Sequence, residues 1–252
     1  MVPATATERY SVRSYEVDLH GRLTLPNLCN YLQESAGLHA RALGVSVEQL
    51  LAEGMTWFLW RLHLQVDRLP TWPEQVSVET WPAELGKPYA VRDFRLGIGD
   101  ELIGVATSAW LLMDIVKKRP VRRLPPHIVA LHPDPPHRAL PDRFHRLPQA
   151  EPKHAPRRCT VRRSDLDLNG HLNHVAAIST MLESTPAEVF DQRRIESLEV
   201  EYRGEGHFGD ELASHCSQAD EDGGDGVFLH RLTRPADGKE LVRGRSRWAP
   251  LL

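Results

Sequence analysis

Apolar residues recur along the first half of the chain with two different periods. Leu25, Leu28, Leu32 and Ala36 repeat at helical spacing behind a capping Thr24 and a first-turn Pro26, and Gly44 stops the run. One long, buried helix is predicted. Ser46 with Gln49 forms a capping box for a short second helix ending near Gly54. The period then falls to two, as Phe58, Trp60, Leu62, Leu64 and Val66 show, which is the mark of a strand with one apolar face. Strands are predicted over 10–17, 56–66, 75–81, 89–98 and 101–114, with Gly99-Asp100 as a two-residue hairpin turn.

From Arg157 the same plan returns. A strand to Ser164 leads into a polar stretch, and Val175, Ile178, Met181 and Leu182 mark a helix predicted to run to about Phe190. Strands are then predicted over 195–202, 211–219, 227–233 and 241–248. At an offset of 149, Asp18, Leu19, Gly21, Leu23, Glu34 and Ser35 match Asp167, Leu168, Gly170, Leu172, Glu183 and Ser184. Six identities in nineteen positions exceed the roughly one that average residue usage provides. At an offset of 136, Trp72-Pro73-Glu74 lines up with Phe208-Gly209-Asp210. The chain reads as two copies of one α+β unit, each a helix laid on an antiparallel sheet. The domains are predicted as 1–119, a linker over 120–156, and 157–252.

The linker rests on texture, since 120–156 carries ten prolines and five histidines without sustained periodicity. Those histidines have no ligand-like spacing and no cysteine among them, so no metal is expected there. Composition narrows the rest. Hydrophobic residues make up 41% and charged residues 26% of 252, the net charge is -3, and no apolar run reaches membrane length. Neither nucleic acid nor a membrane is an expected partner. Three scattered cysteines, Cys29, Cys159 and Cys216, and no apolar leader in the opening residues point to a cytoplasmic location.

The chemistry concentrates in Asp165 to His174. Asp167, Asn169 and His171 are spaced i, i+2, i+4, so an extended segment would set all three on one side, with roughly 6.8 Å between successive members. They lie just ahead of a helix, whose unpaired N–H groups and dipole favour negative charge. Singly, such residues are ordinary turn and capping residues. The two offsets show, however, that the first copy keeps only the aspartate, as Asp18; His20, Arg22 and Leu69 stand at the places of Asn169, His171 and Glu205. The polar set is therefore complete once per chain.

The string DLNGHLNH at 167–174, followed by VEYRGEG at 200–206, resembles the plant and bacterial acyl-[acyl carrier protein] thioesterases. That family has a catalytic Asp-x-Asn-x-His-x-Asn segment and a catalytic Glu about thirty residues later. The resemblance implies a double hotdog fold and identifies Glu205, otherwise a turn residue, as catalytic beside Asp167, Asn169 and His171. Many plant members carry Cys after that Glu; this chain has Gly206, so a covalent thiol mechanism does not carry over.

The function expected is hydrolysis of a fatty acyl thioester by activated water, with neither cofactor nor metal. Glu205 and His171 would activate the water, Asn169 would orient water or substrate, Asp167 would hold His171 or Asn169, and helix N–H groups would take the oxyanion. The first copy would supply sheet and acyl pocket. The expected partner is an acyl carrier protein, met by basic clusters at 117–123 or 157–163, and a homodimer is left open. Alternatives are an acyl-coenzyme A thioesterase, a dehydratase of the same fold, which gives Glu205 no task, and an acyl-binding module, for which a buried titratable cluster is a cost.

Overall fold

A computed structural model describes residues 4–86, 88–151, 154–219 and 226–251. The chain divides into two units, Met1–Arg143 and Phe144–Leu252.

In the first unit the order is β1 (Ala6–Ser11), α1 (Leu25–Ala42), α2 (Val47–Ala52), β2 (Met55–Val66), β3 (Gln75–Leu85), β4 (Tyr89–Ile98), β5 (Glu101–Asp114), β6 (Arg119–Pro120) and α3 (Pro126–Val129). Its sheet runs β1-β3-β4-β5-β2, each neighbour antiparallel, with β6 on β5. Leu28, Cys29, Leu32 and Ala36 form the buried stripe of α1, which packs on β3. Ser46 and Gln49 close the expected capping box of α2. The alternation in β2 is broken where it was expected to continue. A bulge at Trp60 shifts the register against β5 between Leu59 and Arg61, so Leu59 and not Phe58 is buried before it, while Leu62, Leu64 and Val66 keep the expected face after it.

The second unit repeats the plan with β7 (Arg157–Thr160), α4 (His174–Leu182), α5 (Ala187–Gln192), β8 (Arg193–Tyr202), β9 (Glu211–Gln218), β10 (Val227–Arg234) and β11 (Lys239–Pro250). Its sheet runs β8-β11-β10-β9-β7, again antiparallel throughout, so each strand has a counterpart at the same place in the first unit. The helix differs from expectation. It is nine residues long and ends at Leu182, with α5 starting only after Pro186, whose missing N–H and fixed φ cannot continue the α4 ladder. Val175, Ile178, Met181 and Leu182 still form the buried stripe, and α4 packs on β9, β10 and β11. Gly244 lets it come close, since a Cβ there would stand 2.6 Å from Met181 Sδ.

The Pro/His-rich stretch divides between the units. In the first, Ile128 on α3 joins a core cluster with Val45, Leu50 and Leu112. Arg138 reaches the fully buried Asp93 at 3.1 Å, Thr107 at 3.0 Å, and also pairs with Glu84. In the second, Leu147 and Ala150 are buried, and Arg243 donates to the Leu147 carbonyl at 2.9 Å. No helix among the described residues is long and apolar enough to cross a membrane.

Candidate active site

The segment ahead of α4 folds back on itself. Asp167 and His171 are joined by a backbone bond of 2.8 Å from the Asp167 N–H to the His171 carbonyl, and the Gly170 N–H reaches the Asp167 carbonyl at 3.0 Å. Gly170 sits at φ +76°, the left-handed position that a three-residue hairpin loop of this kind places last. The extended arrangement expected for Asp167, Asn169 and His171 is therefore replaced by a turn. Its consequence is a different role for the aspartate. Asp167 Oδ1 accepts the backbone N–H of Asn169 at 2.8 Å and of His171 at 3.1 Å, so it anchors the loop that presents both residues.

The first unit explains why this aspartate recurs. Asp18 Oδ1 accepts from His20 N at 2.8 Å and Arg22 N at 3.0 Å around Gly21 at φ +74°. The same turn stands in both units, and only its outward side chains differ. In the first, Arg22 folds onto Asp18 in an ion pair of 2.9 Å.

A second chain segment meets the turn. Leu172 donates to the Gly206 carbonyl at 2.8 Å, and His171 is bridged to His207. The first unit makes the same contacts with Leu23 to the Pro70 carbonyl at 2.7 Å and a bridge from Arg22 to Thr71. These matched bonds make Leu69 the first-unit counterpart of Glu205, in keeping with the two offsets. The bridging brings the Glu205 carboxylate to 3.8 Å from His171 Nε2, with the two side chains 50% and 35% exposed. Asn169 stands exposed at the tip of the turn.

Asn173 caps α4, its side chain accepting the Val175 N–H at 2.7 Å, and its carbonyl takes the Ala177 N–H at 2.9 Å. In the first turn this leaves the His174 and Ala176 N–H groups without an intrahelical partner. His174 tucks against Tyr202, ring edge to face at 5.9 Å, and its carbonyl accepts the Tyr202 hydroxyl. Loss of water around its ring pushes His174 down to about 4, against the opposing pull of Asp167. It is thus a neutral imidazole at neutral pH.

His207 is the site neighbour that sequence reasoning passed over. Its ring meets that of His171 edge to face at 5.2 Å. The signal was present, because Glu205 and His207 alternate i, i+2 along one extended segment and so share a side. Asp210 accepts the His207 backbone N–H at 2.9 Å and is itself held by Arg234 at 2.7 Å. Burial pushes the Asp210 carboxyl up, but the Arg234 guanidinium and the His207 N–H outweigh it and hold the group below its ordinary range. None of the cysteines belongs to this cluster: burial lifts the Cys29 and Cys216 thiols to about 12 and also raises Cys159.

Residues 3–132 match the acyl-ACP thioesterase N-terminal domain and residues 149–250 the acyl-ACP thioesterase C-terminal domain. A palmitoyl-acyl carrier protein thioesterase of Cuphea hookeriana is 32% identical over 96% of this chain, and an oleoyl-acyl carrier protein thioesterase of Arabidopsis thaliana is 29% identical over 96%. The chain spans 62% of the length of the first and 75% of the second. Among solved structures, the 12:0-ACP thioesterase from Umbellularia californica superimposes with a TM-score of 0.86 at 26% identity, covering 100% of this chain and 96% of that one. An acyl-ACP thioesterase from Bacteroides thetaiotaomicron gives 0.83 at 26%, with 98% of each chain covered. With both halves matched in order, each unit a helix laid on an antiparallel sheet and the polar cluster on the second, this chain is a double-hotdog protein that belongs to the acyl-ACP thioesterase family.

Proposed function

We propose that this protein hydrolyses fatty acyl thioesters carried on acyl carrier protein, using water activated by His171 and Glu205. The observation that carries the reading is the approach of these two side chains to 3.8 Å, at a place where the first unit holds Arg22 and Leu69. That separation is longer than a direct hydrogen bond and suits two bases sharing one water. Neither a guanidinium nor a leucine could do the same at neutral pH.

The chemistry needed is modest because a thioester carbonyl is already electrophilic. His171 and Glu205 jointly take a proton from water, and the oxygen attacks the carbonyl carbon. The negative charge that develops on the carbonyl oxygen is met by the free N–H groups at the start of α4. The carbon–sulfur bond then breaks, the proton passes to the departing thiolate, and a fatty acid and a free thiol leave. Asn169, presented on the Asp167 turn, orients water or substrate. Asp167 acts through the backbone of the loop.

An acidic carrier protein would be met by exposed basic side chains, of which Lys118, Arg119, Arg122 and Arg123 are close in sequence in the first unit. Three free thiols accord with a reducing compartment, and we place the protein in the cytoplasm. The test is turnover of a panel of acyl chains offered on acyl carrier protein and on coenzyme A. The reading expects hydrolysis with kcat/KM higher on the carrier protein and falling with added salt. Preference for coenzyme A would move the substrate class, and binding without turnover on either carrier would sink the hydrolase reading.

A further inference from the structure

His207 has no task in the hydrolysis above, yet it brings a second imidazole to the same spot. One ligand atom from each of His171, Glu205 and His207 lies within 4.8 Å of the other two. The two histidines sit on bridged backbone segments, and the Asp210 carboxylate holds the backbone N–H of His207. The scaffold is therefore set before any ligand arrives.

Two imidazoles and one carboxylate, open to solvent on the remaining side, form a donor set that suits zinc and similar transition ions. Bonds of about 2.0–2.2 Å to one ion require the three atoms to close to roughly 3.4 Å from each other. Rotation of the half-exposed Glu205 and His207 side chains, 50% and 55% open, supplies that movement without shifting the backbone. The first unit makes the same backbone bridge but offers Arg22, Leu69 and Thr71, none of which is an imidazole or a carboxylate. The complete ligand set belongs to the second unit.

We infer that this cluster binds one divalent transition ion of the zinc type, and that the bound ion silences the enzyme. The reason is competition for the same atoms. An ion that takes the His171 nitrogen and a Glu205 oxygen withdraws both from water activation, so occupancy and turnover exclude each other. The second half of this inference rests on the proposed hydrolysis; the binding itself does not.

Two measurements on the full chain test it. Calorimetric titration of metal-free protein with zinc chloride should show one site, and His207→Gln should weaken its dissociation constant at least about tenfold, the lower end of what even a supporting residue contributes to a metal site. In the thioesterase assay, zinc should inhibit the wild type reversibly, with EDTA restoring the rate. The zinc concentration for half-inhibition should rise by a similar factor in His207→Gln, each protein being compared with its own metal-free rate. Absence of a site in the titration, or affinity unchanged in the variant, overturns the binding. Zinc that binds with His207-dependent affinity but leaves turnover intact, or raises it, overturns the inhibition. If no thioester is turned over at all, the proposed reaction fails while the titration still decides the site.

Discussion

His171 Nε2 stands 3.8 Å from the Glu205 carboxylate because Leu172 and Gly206 are hydrogen-bonded at 2.8 Å between them. One backbone contact thus sets the spacing of the two groups on which water activation depends. A Cβ at position 206 would meet Leu172 Cβ at 3.1 Å, so the glycine also permits the approach.

Catalysis should be confined to the second unit. His171→Ala or Glu205→Gln is expected to lower kcat by about 10²-fold or more, the usual loss for an acid–base group, with the fold unchanged by circular dichroism. The matched changes Arg22→Ala and Leu69→Gln should act only on stability or KM. If those abolish kcat while Glu205→Gln is tolerated, the site lies in the other unit.

The two aspartates should prove similar for folding, apart from the surface ion pair that Asp18 adds with Arg22, and unequal for turnover. Asp18→Ala and Asp167→Ala each remove the acceptor of two backbone N–H groups, and each should cost about 1–2 kcal/mol in chemical denaturation. Only Asp167→Ala should also lower kcat, through a loosened turn, and Asp167→Asn, which keeps an acceptor oxygen, should recover most of it. A kcat loss in Asp167→Asn as deep as in His171→Ala would mean that the carboxylate charge itself takes part.

Replacing Cys29, Cys159 and Cys216 together with Ala or Ser should leave most turnover intact. Burial holds these thiols protonated, two of them at about 12, so no thiolate is ready to attack. An acyl-cysteine trapped and identified by mass spectrometry would contradict activation of water.

Stability should fall between about pH 6.5 and pH 4. His230 is fully buried, with Nε2 on Ser246 Oγ at 2.8 Å, and burial pushes it down to about 4. In that window the unfolded imidazole takes a proton that the folded one refuses, so the folded state loses ground as pH drops; above the window this group has no effect. Each such group contributes a slope approaching 1.4 kcal/mol per pH unit, and His174 acts in the same direction. Denaturant midpoints of wild type and His230→Gln across this range check it: the variant should show the shallower dependence.

The periodicities of Leu25, Leu28, Leu32 and Ala36 and of the β2 residues, together with the offsets of 149 and 136, determined the order of the main helix and long strands in each unit, the duplication and the half that carries the polar set, while β1 lies at Ala6–Ser11 and not at 10–17, and α3, β6 and the separate α5 were not foreseen. The features so determined are legible because helical and strand periods follow from local geometry, and because a repeated turn needs the same aspartate and glycine each time. The end of α4 was also within reach, since Pro186 marks it, but the apolar stripe drew the prediction past it to Phe190. Tertiary structure alone decided the rest. The bulge at Trp60 depends on how β5 pairs, and the Asp167 carboxylate turns to the backbone because the turn closes under it. Glu205 and His207 share a side by local alternation, but they reach His171 only through bonds between segments distant in sequence, and no local rule expresses a contact that exists only once the sheet has formed.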